Sequence, residues 1–216
     1  MAPVRKVSNR GGNIIGEFPS IKMDRMVSFE SLIERDYLYL LDYEPEVTFF
    51  EEQPFVIPYL DAGREHGYTP DFHIIRAGHH YVVDCKPAQK AIQKDEQIKF
   101  NAALEHCSGC GWFFGIVTDH QIRSGYRLGN IKRLKYYARH HAVTVEAKGY
   151  VYAILQKTNM PISIQQVQSQ AGDYSPALIL TVVLHMAFHH LVEIQVDAAP
   201  ISVDSLIKLP TPGGAA

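Results

Sequence analysis

Asp84 and Lys86 stand two residues apart in the run Val82-Val83-Asp84-Cys85-Lys86-Pro87, and Asp71 stands upstream in Tyr68-Thr69-Pro70-Asp71-Phe72. Alternate residues of a strand share a face, so Asp84 and Lys86 point one way and Cys85 the other. The alternating runs Tyr68 to Arg76 and His80 to Lys86, separated by Ala77, Gly78 and His79, read as a hairpin. Counting outward from a turn centred on Ala77-Gly78 sets Asp71 opposite Asp84. Two carboxylates so opposed repel each other unless a proton or cation intervenes. Mg2+ suits such a pair, because it takes oxygen ligands and is commonly held by one or two carboxylates plus water and phosphate; Mn2+ is expected to substitute. Lys86 can then hold an attacking water, neutralise charge developing on a phosphate, or do both. An Asp-x-Lys tripeptide alone is a common accident on a solvated strand face. The Pro-Asp before it and the hairpin offset set this one apart.

The elements that must position these groups follow from periodicity. Ser28 is a candidate cap for a helix to about Tyr43, with Phe29, Leu32, Ile33, Tyr37, Leu40 and Leu41 at helical spacing and Pro45 as the stop. On that helix Glu30 and Glu34 share a face with Leu38 and Leu41, so a carboxylate can reach the edge of the buried stripe; by itself, a solvated glutamate is the simpler reading. Val47 to Tyr59, interrupted by Pro54 and Pro58, reads as one or two strands near a sheet edge. A helix over about Ala88 to His106, a strand over Trp112 to Val117 and a basic helical segment ending near His141 complete a mixed α/β layer structure. From Val145 the texture changes to helices at Val145 to Leu155, Ser163 to Gln170 and Ser175 to His189, then a small hairpin of Val192 to Val196 with Ile201 to Val203. That is a winged-helix-like pattern. The expected organisation is an extended arm over 1–22, a catalytic domain over 23–143 and a small C-terminal domain over 144–216.

Composition bounds the rest. The chain has 216 residues, 46% hydrophobic and 20% charged, with three cysteines and a formal net charge of -2. This describes an ordinary globular protein without an extracellular disulfide framework, and with no apolar stretch near the ~20 residues that span a bilayer. A cytoplasmic location without membrane association is expected. The net charge hides a basic run, Arg123, Arg127, Lys132, Arg133, Lys135 and Arg139, with no acidic residue between His120 and Val145. Such a run is a candidate footprint for phosphate, with Lys90 and Lys94 as weaker candidates for the same task. His106-Cys107-Ser108-Gly109-Cys110 has no second pair to close a zinc site, and no phosphate-cradling G-x-x-x-x-G-K-[ST] is present.

The run from Ser28 to Tyr43, then Phe50-Glu51-Glu52-Gln53-Pro54, Tyr68-Thr69-Pro70-Asp71-Phe72 and Asp84-Cys85-Lys86-Pro87, in this order, resembles the TnsA endonuclease of heteromeric cut-and-paste transposons. Val117-Thr118-Asp119 through Ile122-Arg123 to Asn130 is also similar. The resemblance implies a restriction-endonuclease-like, PD-(D/E)xK core: a mixed sheet with flanking helices. It implies a metal-dependent endonuclease that cuts the non-transferred (5') strand of double-stranded DNA at transposon ends. Glu34, Asp71 and Lys86 match the family's catalytic positions, and Asp84 matches a metal-side position that is often Glu or Gln in relatives. Metal ligation is thereby expected from Asp71, Asp84, Glu34 and the backbone carbonyl of Cys85, and DNA contact from Lys90, Lys94, Arg123, Arg127, Lys132 and Arg133. Implied partners are a transposase subunit (TnsB-like) and an ATP-dependent regulator (TnsC-like). The would-be recognition helix, Ser175 to His190, has no Lys or Arg, so the C-terminal domain is expected to dock proteins rather than read DNA. Two other readings are a restriction or repair nuclease with the same core and a catalytically silent scaffold.

Overall fold

The computed structural model describes residues 14–158 and 160–211. The chain divides into two units, Met1–Arg123 and Ser124–Ala216. This division precedes the expected boundary, and assigns the basic helix to the second unit. No helix among the described residues is long and apolar enough to cross a membrane.

In the first unit, β1 (Gly16–Pro19) pairs antiparallel with β2 (Met26–Phe29). Of the expected arm, residues 1–13 lie outside the described residues. The part that follows is docked: Asp42 accepts hydrogen bonds from the Ser20 hydroxyl at 2.6 Å and from the Ile21 and Lys22 amides at 3.0 Å. Helix α1 (Leu32–Tyr43) is capped by Ser31, whose hydroxyl accepts from the Glu34 amide. The expected cap, Ser28, belongs instead to β2, where its amide donates to Glu52. A serine offers its oxygen to a helix only where the chain leaves extended geometry, and pairing with β1 holds the chain extended through Phe29.

Six strands follow in two sheets and around two helices. They are β3 (Val47–Glu52), β4 (Ile57–Asp61), β5 (Arg64–Tyr68), β6 (Phe72–Arg76) and β7 (His79–Lys86), then α2 (Ala88–Ala91), α3 (Lys94–Cys110) and β8 (Phe113–Thr118), ending in α4 (Asp119–Arg123). The main sheet has the order β3-β6-β7-β8, with β8 parallel to β7 and the other pairs antiparallel. The parallel step requires a crossover, and α2 with α3 provides it. The expected single helix is broken near Ile92-Gln93. Strands β4 and β5 form a separate hairpin, of which the expected stretches Val47 to Tyr59 and Tyr68 to Arg76 take in only the two ends. On one side of the sheet Leu38 and Leu41 of α1 are fully buried, with Phe50, Phe72 and Ile74, and the Tyr37 and Phe72 rings lie 5.9 Å apart. On the other side Phe100 of α3 meets Phe114 of β8. At the far end of that second face His73, His80 and Trp112 stack, and His73 Nε2 lies 2.9 Å from His80 Nδ1.

The second unit contains α5 (Arg127–Tyr137), α6 (Val145–Thr158), β9 (Ile162–Ser163), α7 (Ile164–Ser169), α8 (Pro176–Phe188), β10 (Glu193–Ile194) and β11 (Leu206–Lys208). Its strands form an antiparallel sheet ordered β10-β11-β9. Ser163 and Gln166 close a capping box on α7, while Ser175 caps α8 ahead of Pro176. Helix α8 is the core of the unit, with Ile179, Val182, Val183 and Leu184 fully buried. The hairpin's second strand lies at Leu206–Lys208 rather than at Ile201 to Val203. Ile201 is held away from the sheet, its amide donating to Asn130 Oδ1 at 2.9 Å.

Candidate active site

The turn at Ala77-Gly78 takes positive φ at both residues, 48° and 77°, the conformation of a two-residue hairpin loop. With Arg76 paired to His79 and Phe72 to Val83, the register continues to Asp71 opposite Asp84. Asp71 lies one residue before β6, and its Oδ2 accepts from the Cys85 amide at 2.6 Å. That bond ties the loop carboxylate to the strand bearing the other two groups. Lys86 Nζ lies 2.9 Å from Asp84 Oδ2 and 3.9 Å from Asp71 Oδ2. The three groups therefore converge as strand alternation and the hairpin offset required.

Asp84 is fully buried, yet neither carboxylate oxygen has an aligned hydrogen bond; Lys86 pairs with it at 2.9 Å, off the aligned geometry. A buried carboxylate in this state carries a desolvation cost that one shared ammonium offsets in part. Burial, and then the charge of Asp84, push the Asp71 carboxyl well above its ordinary range, with Glu34 adding in the same direction. Burial alone would lower Lys86, but Asp71 and Asp84 outweigh it and the ammonium is held above its ordinary value. Lys86 is thus cationic at neutral pH.

Glu34, on the first turn of α1, lies close enough to Asp71 and Lys86 to interact with both charges. Burial raises its pKa. One of its oxygens is already engaged, Oε2 accepting from the Glu30 amide at 2.7 Å. Among the described residues no group of three or more His, Cys, Asp or Glu side chains is arranged to hold a metal ion. The donor set fits an open site instead: Asp84 with two oxygens free of aligned hydrogen bonds, Asp71 beside it, and remaining positions for water and phosphate. Cys85 points its buried thiol away from this face, and burial pushes that thiol well above its ordinary pKa. This leaves only its backbone as a donor.

The cations expected to meet DNA fall into two groups. Lys90 on α2 and Lys94 at the start of α3 are exposed. Arg123 donates from Nε to Asp36 Oδ2 at 2.8 Å, Arg127 pairs with Asp197 at 3.1 Å, and Arg133 donates to the Ile201 carbonyl. These arginines hold protein groups, because each lies beside an acid or carbonyl supplied by a distant stretch of chain. Lys132 is half-buried on α5.

Three participants were not singled out from the sequence. Asp119 caps α2 by accepting from the Ala88 amide at 2.9 Å, which fixes the chain just after Lys86-Pro87; that bond holds its carboxyl below the ordinary range. Glu96 of α3 pairs with Lys99 at 2.8 Å while its Oε2 is buried without a hydrogen bond, and its charge is felt at Lys86. Tyr68, at the end of β5, is buried with its hydroxyl beside Asp84. Cys107 and Cys110 are free thiols on α3, the first buried and the second exposed.

Residues 44–119 match the family described as TnsA-like endonuclease N terminal. No curated protein matches the chain. The matched stretch carries the sheet, the hairpin and Asp71, Asp84, Cys85 and Lys86, and it ends before the second unit. Over these residues the chain is similar to TnsA-like endonuclease N-terminal domains, and the converging carboxylate-lysine geometry lies within the matched stretch.

Proposed function

We propose that this nuclease is a Mg2+-dependent endonuclease that cuts the non-transferred strand at transposon ends. The observation that carries the metal dependence is the fully buried Asp84, whose two oxygens lack aligned hydrogen bonds while Asp71 and Lys86 converge on it. Asp71 and Asp84 would hold the ion, with Glu34 and the Cys85 carbonyl at its margin. When bound, Mg2+ supplies Lewis-acid stabilisation of the phosphoryl oxygens and a more acidic water. Asp71 is oriented for this by the Cys85 amide. Lys86, held protonated by its two neighbours, acts as an electrostatic donor to the phosphate or water rather than as a base. Lys90 and Lys94, exposed just beyond the active strand, are the side chains we assign to backbone phosphate.

We assign the second unit to partner docking. Its order from α6, helix-strand-helix-helix-strand-strand, supports a winged-helix reading. Helix α8 contains neither Lys nor Arg and buries most of its length in its own core, which disfavours DNA reading and favours the transposase or the ATP-dependent regulator as partner.

The deciding experiment incubates the full chain, with its transposase subunit, on duplex DNA carrying the transposon ends. We expect 5'-strand nicks with Mg2+ or Mn2+, none with EDTA, and loss of at least about a hundredfold in rate for Lys86→Ala. Normal cutting by Lys86→Ala would overturn the site assignment.

A further inference from the structure

Tyr68 poses a physical question that the reaction scheme leaves open. Its ring is 6% exposed, and its hydroxyl is among the buried polar atoms without a hydrogen-bond partner. Phenylalanine would fill the same space without that cost, so packing alone gives no reason for the hydroxyl. The same holds for the group beside it. Asp84 is 0% exposed, and both its oxygens lack an aligned hydrogen bond. A donor without an acceptor thus lies next to an acceptor without a donor. The Tyr68 hydroxyl lies within hydrogen-bonding reach of the Asp84 carboxylate, short of aligned geometry, and the Asp71 and Glu96 charges also face it.

The position of Tyr68 explains how the two are matched. It ends β5, where its Cα partner is Ile57 of β4, and Ile57, Tyr68 and Ala103 of α3 form a small buried cluster. The phenol therefore approaches Asp84 from the β4-β5 hairpin, an element separate from the sheet that carries the carboxylate. Strand pairing and the buried cluster hold the phenol on the hairpin side of the carboxylate, while Lys86 meets Asp84 from its own strand.

We propose that Tyr68 is a positioning residue: its hydroxyl donates to one Asp84 oxygen when the other turns to a hard divalent cation, and so sets the carboxylate's orientation. Metal ligands are commonly held by an outer hydrogen bond of this kind, and loss of that bond typically weakens metal binding 10- to 100-fold. The assignment rests on the reading of Asp84 as a metal ligand. It differs from that reading in requiring the phenol, not the carboxylate alone.

Mn2+ binding to the full chain, followed by the electron paramagnetic resonance signal of free Mn2+, tests it apart from cleavage. Tyr68→Phe should bind Mn2+ about tenfold more weakly while its thermal midpoint stays at or above that of the unaltered chain, since an unpartnered buried hydroxyl is removed. Binding within twofold of the unaltered chain would overturn the proposal. A tenfold loss of Mn2+ binding in Glu96→Gln, with Tyr68→Phe silent, would overturn the proposal and reassign the role to Glu96. An unaltered chain that binds Mn2+ but cuts no end DNA would refute the nuclease reading and leave the Tyr68 assignment standing. If the unaltered chain fails to bind Mn2+, the assignment falls.

Discussion

Each unit of the chain buries a polar side chain at its centre, and the two are treated in opposite ways. In the second unit Asn130 is saturated: its amide donates to the Val196 carbonyl at 2.8 Å and the Ala199 carbonyl at 2.7 Å, and its Oδ1 accepts from the Ile201 amide. In the first unit Asp84 is more deeply buried and has no aligned hydrogen bond at all. A saturated buried group pins a loop and is finished. An unsaturated one carries a cost that the fold alone does not recover, and such residual cost concentrates where a ligand completes the structure.

The largest expected effect breaks the comparison on the unsaturated side. Asp84→Asn should lower strand cleavage about a thousandfold, the scale of a lost electrostatic element in a reacting site. Its thermal midpoint should hold or rise, because Lys86 keeps Asp71 as a partner at 3.9 Å and one of the crowded carboxylates is gone. A cleaving Asp84→Asn, or one that unfolds, would mean that the group is structural like Asn130.

The saturated side should respond in reverse. Asn130→Ala leaves two carbonyls and one amide without their partner, a loss of about 3 kcal/mol. Denaturant unfolding should show this as destabilisation of the second unit; a loss below about 1 kcal/mol would remove the contrast.

A smaller effect is the pH dependence of stability. Asp71 has a folded-state pKa raised above its ordinary 3.8, so the folded chain holds that proton more tightly than the unfolded one. Stability from this group is therefore present at low pH and lost as pH rises from about 4 through the raised value. Relative to Asp71→Asn, the native chain should lose stability across that window with a slope of up to about 1.4 kcal/mol per pH unit. Chemical denaturation at several pH values checks it, and a rising difference would contradict the direction.

How much of this was legible in the chain depends on the range of the interaction. The turn at Ala77-Gly78 and the register beyond it are local, and they brought Asp71, Asp84 and Lys86 together as expected. The same Ala-Gly signature occurs at Ala62-Gly63, with φ of 47° and 75°, and it turns the β4-β5 hairpin. The flanking residues from Asp61 to Gly67 are exposed and lack the alternation that marks a half-buried strand, so the turn signal there stands without strand signals beside it. The Ser31 cap was equally local, but choosing it over Ser28 required knowing that β1 holds Met26–Phe29 extended.

By itself, then, the sequence determined the hairpin, the shared face of Asp84 and Lys86, the family likeness and the change of texture near the second unit. These follow from strand alternation, turn chemistry and helical period, which act over a few residues. Only the tertiary structure decided which charges are spent and which are left. Arg123 finds Asp36 across 87 positions, Arg127 finds Asp197 across 70, and Asn130 finds its loop across 66 to 71. Asp84 finds no comparable donor. Hydrogen-bond saturation depends on which distant groups folding brings within 3 Å or so, and no local pattern encodes that.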